Sequence, residues 1–146
     1  MPPPVVAATA ALLMWLLALP FPSLDLDLPA RNAVAGIFAA LALLIGAAAI
    51  YGFRKARTTI HPMRPQESSA LVTGGVYRAT RNPMYLGMLL ILIGWAYIVA
   101  NIAALAMLPL FVAYLNRFQI APEEKALQAR FGAEFEQYKG KVRRWL

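Results

Sequence analysis

The chain has 146 residues, of which 60% are hydrophobic and 14% charged, with a formal charge of +7. So apolar a composition excludes an ordinary soluble domain of this length and predicts that lipid supplies part of its solvent. Cysteine is absent, which excludes a disulfide framework, a thiolate metal site and a cysteine nucleophile. The basic residues lie in two stretches beside apolar segments, where anionic headgroups attract them. The charge therefore points to membrane contact and not to nucleic acid.

The first apolar run, residues 5–20, stops at Pro20 and Pro22. It is short for a spanning helix and near the length of a secretory signal, but no basic region precedes it. Residues 33–53 can cross a hydrocarbon core of about 30 Å at about 1.5 Å per residue. Within them Gly36, Ala39, Ala40, Gly46 and Ala47 predict close packing against another helix. Residues 54–82 hold His61, several prolines and Gly74-Gly75 without sustained periodicity, which predicts a structured loop. Two further runs, 84–100 and 102–118, are separated by Asn101 alone and predict a tight helical hairpin kinked at Pro109. After Pro122, residues 123–138 read as an amphipathic helix outside the membrane core. Glu123 and Glu124 fall in its first turn, and Leu127, Phe131, Phe135 and Tyr138 recur at helical spacing.

The expected fold is thus all-α and integral to the membrane: one domain of about four transmembrane helices, a polar loop and a C-terminal amphipathic helix. Arg54, Lys55, Arg57, Arg64, Arg78 and Arg81 crowd the long loop, whereas the loop of residues 21–32 sets Arg31 against Asp25 and Asp27. Positive residues stay inside, so the loop and both termini are expected on the cytoplasmic side, in a membrane of the bacterial inner type. Oligomeric state is open, since a small-residue helix face serves internal packing or a dimer equally well.

The stretch of residues 71–87, LVTGGVYRATRNPMYLG, places glycines, tyrosines and arginines immediately before an apolar helix. Asn82 suits an N-cap, Pro83 suits the first turn, and the unpaired amides of that turn favour an anion such as a cofactor carboxylate. A plain capped helix with headgroup-level arginines and tyrosines explains the same residues.

This stretch resembles the isoprenylcysteine carboxyl methyltransferase and phospholipid methyltransferase superfamily, whose signature is close to G-x-Y-x-x-x-R-[HN]-P-x-Y-x-G. Gly75, Tyr77, Arg81, Asn82, Pro83, Tyr85 and Gly87 fill its positions. The second half of the pattern is matched by Arg117, Glu123, Glu124, Leu127, Phe131, Gly132, Tyr138 and Arg143. The resemblance runs over residues 58–146, about three fifths of the chain. At Asn82 the eukaryotic carboxyl methyltransferases carry histidine; asparagine accepts no proton near neutral pH, which leaves hydrogen bonding to this position.

The resemblance implies S-adenosylmethionine as cofactor, S-adenosylhomocysteine as product, and no metal. It implies that Ser69, Ala70, Leu71 and Val72 with Tyr77 line the adenosine side, and that Arg81, Asn82, Pro83, Met84 and Tyr85 close over the methionine part. Glu123 and Glu124 would hold the ammonium, although two acids in a first helical turn also serve simply to offset the dipole. Arg117 would meet the acceptor as the catalytic and substrate-binding residue, orienting an acidic end; its plainer reading is an arginine snorkelling from a helix end. His61, the single histidine, is available as a proton relay, but a His-Pro pair in a loop is ordinarily a turn. The expected function is methyl transfer to a lipid-like or amphipathic acceptor, a carboxylate foremost, at the cytoplasmic membrane face. The alternative is a non-enzymatic membrane adaptor or small transporter subunit that retains the fold.

Overall fold

A computed structural model describes residues 1–20, 30–56 and 70–146. Asp25, Asp27, Arg57, His61, Arg64 and Ser69, singled out above, lie outside the described residues. The described chain is helical: α1 (Pro3–Ala18), α2 (Arg31–Lys55), a 3-10 turn (Gly75–Arg78), α3 (Pro83–Val99), α4 (Ile102–Leu115), a π-helical turn (Asn116–Ile120), α5 (Ala121–Phe131) and α6 (Ala133–Lys141). Two helical runs are long and apolar enough to cross a membrane, α2 and the continuous run Ile102–Phe131; α1 and α3 are apolar but shorter. Large hydrophobic side chains on α1, α2 and α4 face outward, among them Leu12, Trp15, Ile37, Leu43, Leu44 and Leu110. A surface of this kind suits hydrocarbon and not water.

Side chains from α1, α3 and α4 make one core around Met14, Leu92, Ala96, Ala104, Phe111 and Leu115. The Trp95 indole N–H donates to the Ala11 carbonyl at 3.0 Å, joining α3 to α1. The hairpin expected at Asn101 is present. Ala100 takes a left-handed conformation (φ 48°), and the buried Asn101 side chain accepts from the Ala103 N–H at 2.9 Å, capping α4.

The packing of α2 differs from expectation. Gly36, Ala39, Ala40 and Ala47 face outward, and a Cβ added at Gly36 or Gly46 meets nothing within 4 Å. The close approach comes instead from α3. A Cβ at Gly94 would lie 3.1 Å from the Phe38 Cβ and 3.4 Å from Ala35, and one at Gly87 would lie 3.3 Å from the Ala42 carbonyl oxygen. Glycines seven apart share a helix face, so α3 presents the groove and α2 fills it.

Helix boundaries near the C-terminus also depart from the sequence reading. No break precedes Pro122; the chain passes from α4 to α5 through the π turn. A proline lacks the N–H that would bond the residue four back, and its ring crowds that carbonyl. One widened turn accommodates Pro122 while the helix continues. The expected single helix over residues 123–138 is instead two helices broken at Gly132, whose φ of +50° is a left-handed conformation that favours glycine. Beyond it, Phe135, Tyr138 and Val142 pack with Ala49 and Tyr77 into a second core that closes over the end of α2.

Gly94→Leu should therefore destabilise the protein by about 1 to 3 kcal/mol through overpacking against Phe38 and Ala35, whereas Gly36→Leu should leave stability nearly unchanged. Thermal unfolding of both variants in detergent checks this pair, and equal effects would contradict the packing.

Candidate functional site

The two cores meet where α3 begins and α5 leaves the π turn, and polar side chains gather there. Tyr85 lies in the first turn of α3 and is buried in the helical core. Its hydroxyl donates to Glu123 Oε1 in the first turn of α5. Burial pushes the Glu123 carboxyl up to about 7; the Tyr85 hydrogen bond opposes that rise and the neighbouring Glu124 adds to it. Glu123 thus changes charge near neutral pH.

Glu124, the next residue, points into a separate ion cluster. Arg81 Nη2 lies 3.1 Å from Glu124 Oε1, with Arg81 12% and Glu124 17% exposed. Arg144 approaches the same carboxylate with two nitrogens, Nε at 3.1 Å from Oε1 and Nη2 at 2.5 Å from Oε2. Both oxygens of Glu124 are thus occupied by guanidiniums. Arg81 Nε and Nη1, by contrast, are buried and have no hydrogen-bond partner among the described residues. A buried guanidinium with unpaired donors costs stability unless an acceptor arrives.

The C-terminal segment holds this arrangement from behind. The Arg81 N–H donates to the Arg143 carbonyl at 3.0 Å. The Thr80 hydroxyl and the Asn82 amide nitrogen both donate to the Arg144 carbonyl, at 3.2 and 2.8 Å. Asn82 therefore begins α3 without a side-chain cap; its amide group ties down the tail instead, correcting the N-cap expected from the sequence. Trp145 donates from its indole to Asn116 Oδ1 in the π turn at 3.0 Å. Gln119, in the same turn, donates to the Met1 carbonyl at 2.8 Å, so both ends of the chain meet one end of the bundle.

The structure brings Arg81, Asn82, Tyr85, Glu123 and Glu124 together but uses the other candidates differently. Tyr77 is buried, its ring edge-on to Phe53 at 5.5 Å, and its carbonyl accepts from the Tyr138 hydroxyl at 2.7 Å. Burial pushes both phenols up, Tyr138 to about 12, so they stay protonated. Leu71, Val72 and Met84 pack against this second core, Pro83 is fully buried, and Ala70 is half-buried at the edge of the described loop. Arg117 lies in the π turn, exposed and without an ion pair among the described residues. A separate open cleft of about 430 Å³, lined by Thr73, Arg78, Glu134, Gln137, Tyr138, Lys141 and Val142, lies beside the second core.

Sequence reasoning missed Thr80, Asn116, Arg144 and Trp145. It took Arg143 from the basic tail, yet Arg143 contributes a carbonyl and Arg144 the guanidinium. In an Arg-Arg pair at a helix exit, nothing local says which side chain turns inward. Thr80, one residue before the R-N-P motif, gave no signal either, because its burial is set by the fold.

No solved structure matches the chain. Over 63 residues it is 48% identical to an uncharacterized protein of Haemophilus influenzae, a match covering 43% of this chain and the whole of that protein. The sequence model of the phospholipid methyltransferase family matches residues 30–134. That span takes in α2 through the start of α6, and with them Arg81, Tyr85, Glu123 and Glu124. The chain, a membrane protein by its apolar helices, belongs to the phospholipid methyltransferase family, methyltransferases that act on lipid-like substrates.

Proposed function

We propose that the protein transfers a methyl group from S-adenosylmethionine to a lipid-like or amphipathic acceptor at the cytoplasmic face of the membrane, releasing S-adenosylhomocysteine. The observation that carries this reading is the placing of opposite donor and acceptor capacities in two adjoining clusters, joined by the neighbouring residues Glu123 and Glu124. Arg81 has two nitrogens, Nε and Nη1, without a partner among the described residues, and either can donate to a carboxylate. Nearby Glu123 has one oxygen engaged by Tyr85 and the other available for an ammonium. An amino-acid end carrying both charges fits that pair, which is the end by which this donor differs from a simple nucleoside. Glu124 is held by Arg81 and Arg144 and so serves this site as an orienting group more readily than as the ammonium ligand.

When bound, S-adenosylmethionine supplies a sulfonium-activated methyl carbon for in-line attack. The protein's own work is positioning and exclusion of water. Tyr85 fixes the Glu123 carboxylate, and the Leu71, Val72 and Tyr77 segment gives an apolar wall on the loop side. Ser69 is assigned to the adenosine side by resemblance alone. Arg117, exposed in the π turn that follows α4, would meet the polar end of a membrane-borne acceptor there, and its guanidinium would orient an acidic group. A carboxylate acceptor needs no base, and this favours it over an amine at a site where Asn82 cannot accept a proton. Four spans, formed by α1, α2, α3 and α4, with the motif loop and both termini cytoplasmic, complete the proposal; the meeting of Met1 and Trp145 at the π turn supports the shared side of the termini.

Four outcomes test this reading. Purified protein supplied with methyl-labelled donor and membrane lipid should yield labelled lipid whose label is released as methanol by mild alkali; alkali-stable label would point to an amine acceptor, and no labelled lipid to an adaptor. Glu123→Gln should weaken S-adenosylhomocysteine binding by about 10- to 100-fold. In the parent, a cationic group binds the ionised carboxylate, so affinity should fall as pH drops below about 7, by up to about tenfold per unit. The variant should lose that slope, which titration calorimetry at several pH values measures. Because the folded carboxyl holds its proton more tightly than an unfolded one, its ionisation costs stability as pH rises from the ordinary carboxylate range through about 7. The same variant should therefore melt higher than the parent at pH 8.

Arg117→Ala should cut turnover by at least tenfold while S-adenosylhomocysteine binding stays within about twofold, with Arg117→Lys rescuing in part; loss of cofactor binding would move Arg117 to the other side of the reaction. For orientation, cysteines placed singly at Lys55 and Leu146 of the cysteine-free parent should both label from the cytoplasmic side, and labelling from opposite sides would break the topology.

A further inference from the structure

Arg144 does two things at once. Its carbonyl gathers Thr80 and Asn82, the residues flanking Arg81, at 3.2 and 2.8 Å. Its guanidinium takes Glu124 through two nitrogens, sharing Oε1 with Arg81 and holding Oε2 alone. Glu124 can consequently give Arg81 only one oxygen, at a single nitrogen, and the other two Arg81 nitrogens stay buried without a partner among the described residues. Guanidinium and carboxylate prefer a two-pronged pairing when both are unencumbered. A free Glu124 would therefore close on Arg81 and consume donors that the bound ligand needs. Trp145, bonded to Asn116 in the π turn, fixes the end of this strap beside Arg117.

We propose that Arg144 is a positioning residue of the transfer site: by chelating Glu124 it keeps Glu124 from closing on Arg81, so that Arg81 presents unpaired N–H groups to the carboxylate of the methyl donor. The inference rests on the donor reading above. It assigns Arg144 no contact with donor or acceptor, and it assigns the C-terminal strap a role in cofactor affinity, although the strap lies past the 134th residue, where the family match ends.

The test is calorimetric binding of S-adenosylhomocysteine to the full chain in detergent, with the melting temperature of each protein measured alongside. Arg144→Ala should bind at least tenfold more weakly than the parent. Adding Glu124→Gln to it should recover a measurable part of that loss, because a neutral amide no longer locks onto Arg81. Arg144→Lys, which offers one prong, should fall between parent and alanine, and it carries the test if the alanine variant does not fold. A purely structural strap gives the opposite pattern: the double variant melts lower and binds no better than Arg144→Ala. Parent-like affinity in Arg144→Ala and Arg144→Lys, or no recovery in the double variant, overturns the inference while the donor reading stands. Failure of the parent itself to bind S-adenosylhomocysteine removes the donor reading, and this inference with it.

Discussion

Charged groups placed among apolar helices must be paired, and the pairing of Glu124 with Arg81 and Arg144 is the contact on which the rest of the site depends. Taking a carboxylate and a guanidinium out of water costs several kcal/mol per ion, and only good geometry with further hydrogen bonds offsets it. Arg81 and Glu124 are largely buried, so neither can lose its partner cheaply. The cluster also joins three parts of the chain that are far apart in sequence: the turn before α3, the start of α5 and the C-terminal strap. With that join made, Glu123 is carried away from water, and burial pushes its carboxyl up to about 7 against the opposing Tyr85 hydrogen bond.

The helices deliver these groups through two local devices. The π turn lets Pro122 sit inside a continuous helical run, so that α5 leaves α4 without a loop and Glu123 and Glu124 emerge directly at the end of the apolar segment. Gly132 then breaks the helix, and beyond it α6 packs Phe135 and Tyr138 against Ala49 and Tyr77. Tyr138 anchors the 3-10 turn through the Tyr77 carbonyl, and the strap that follows α6 reaches Arg81. The charged groups of this site therefore come from the turn before α3, the start of α5 and the C-terminal strap, while the apolar helix α3 supplies Tyr85.

Much of this was legible in the residues. The apolar runs and the single Asn101 between two of them gave the helical hairpin, because length and composition decide such elements with little help from tertiary contacts. The R-N-P-x-Y and E-E pairs were legible as a unit through the family resemblance alone, since two acids in a first helical turn otherwise read as offsetting the dipole. The glycines were not: Gly36 and Gly46 have the composition of a packing face, yet Gly87 and Gly94 make the contact, and which glycines meet a partner depends on helix rotation. The break at Gly132 was hidden because Leu127, Phe131, Phe135 and Tyr138 keep helical spacing across it. The fates of Glu124 and Asn82 were hidden for a related reason. Their partners lie 20 and 62 residues away, and nothing in the local sequence names them.

The central claim is that the methyl donor lies between the turn before α3 and the start of α5. Ultraviolet crosslinking of labelled S-adenosylmethionine to the purified protein, followed by mapping of the labelled peptides, tests it most directly. The label should fall on peptides carrying Tyr77 to Tyr85 and Ile120 to Gln128, and excess S-adenosylhomocysteine should abolish it. Label confined to α1 or to the outer face of α2, or label insensitive to that competitor, would contradict the account.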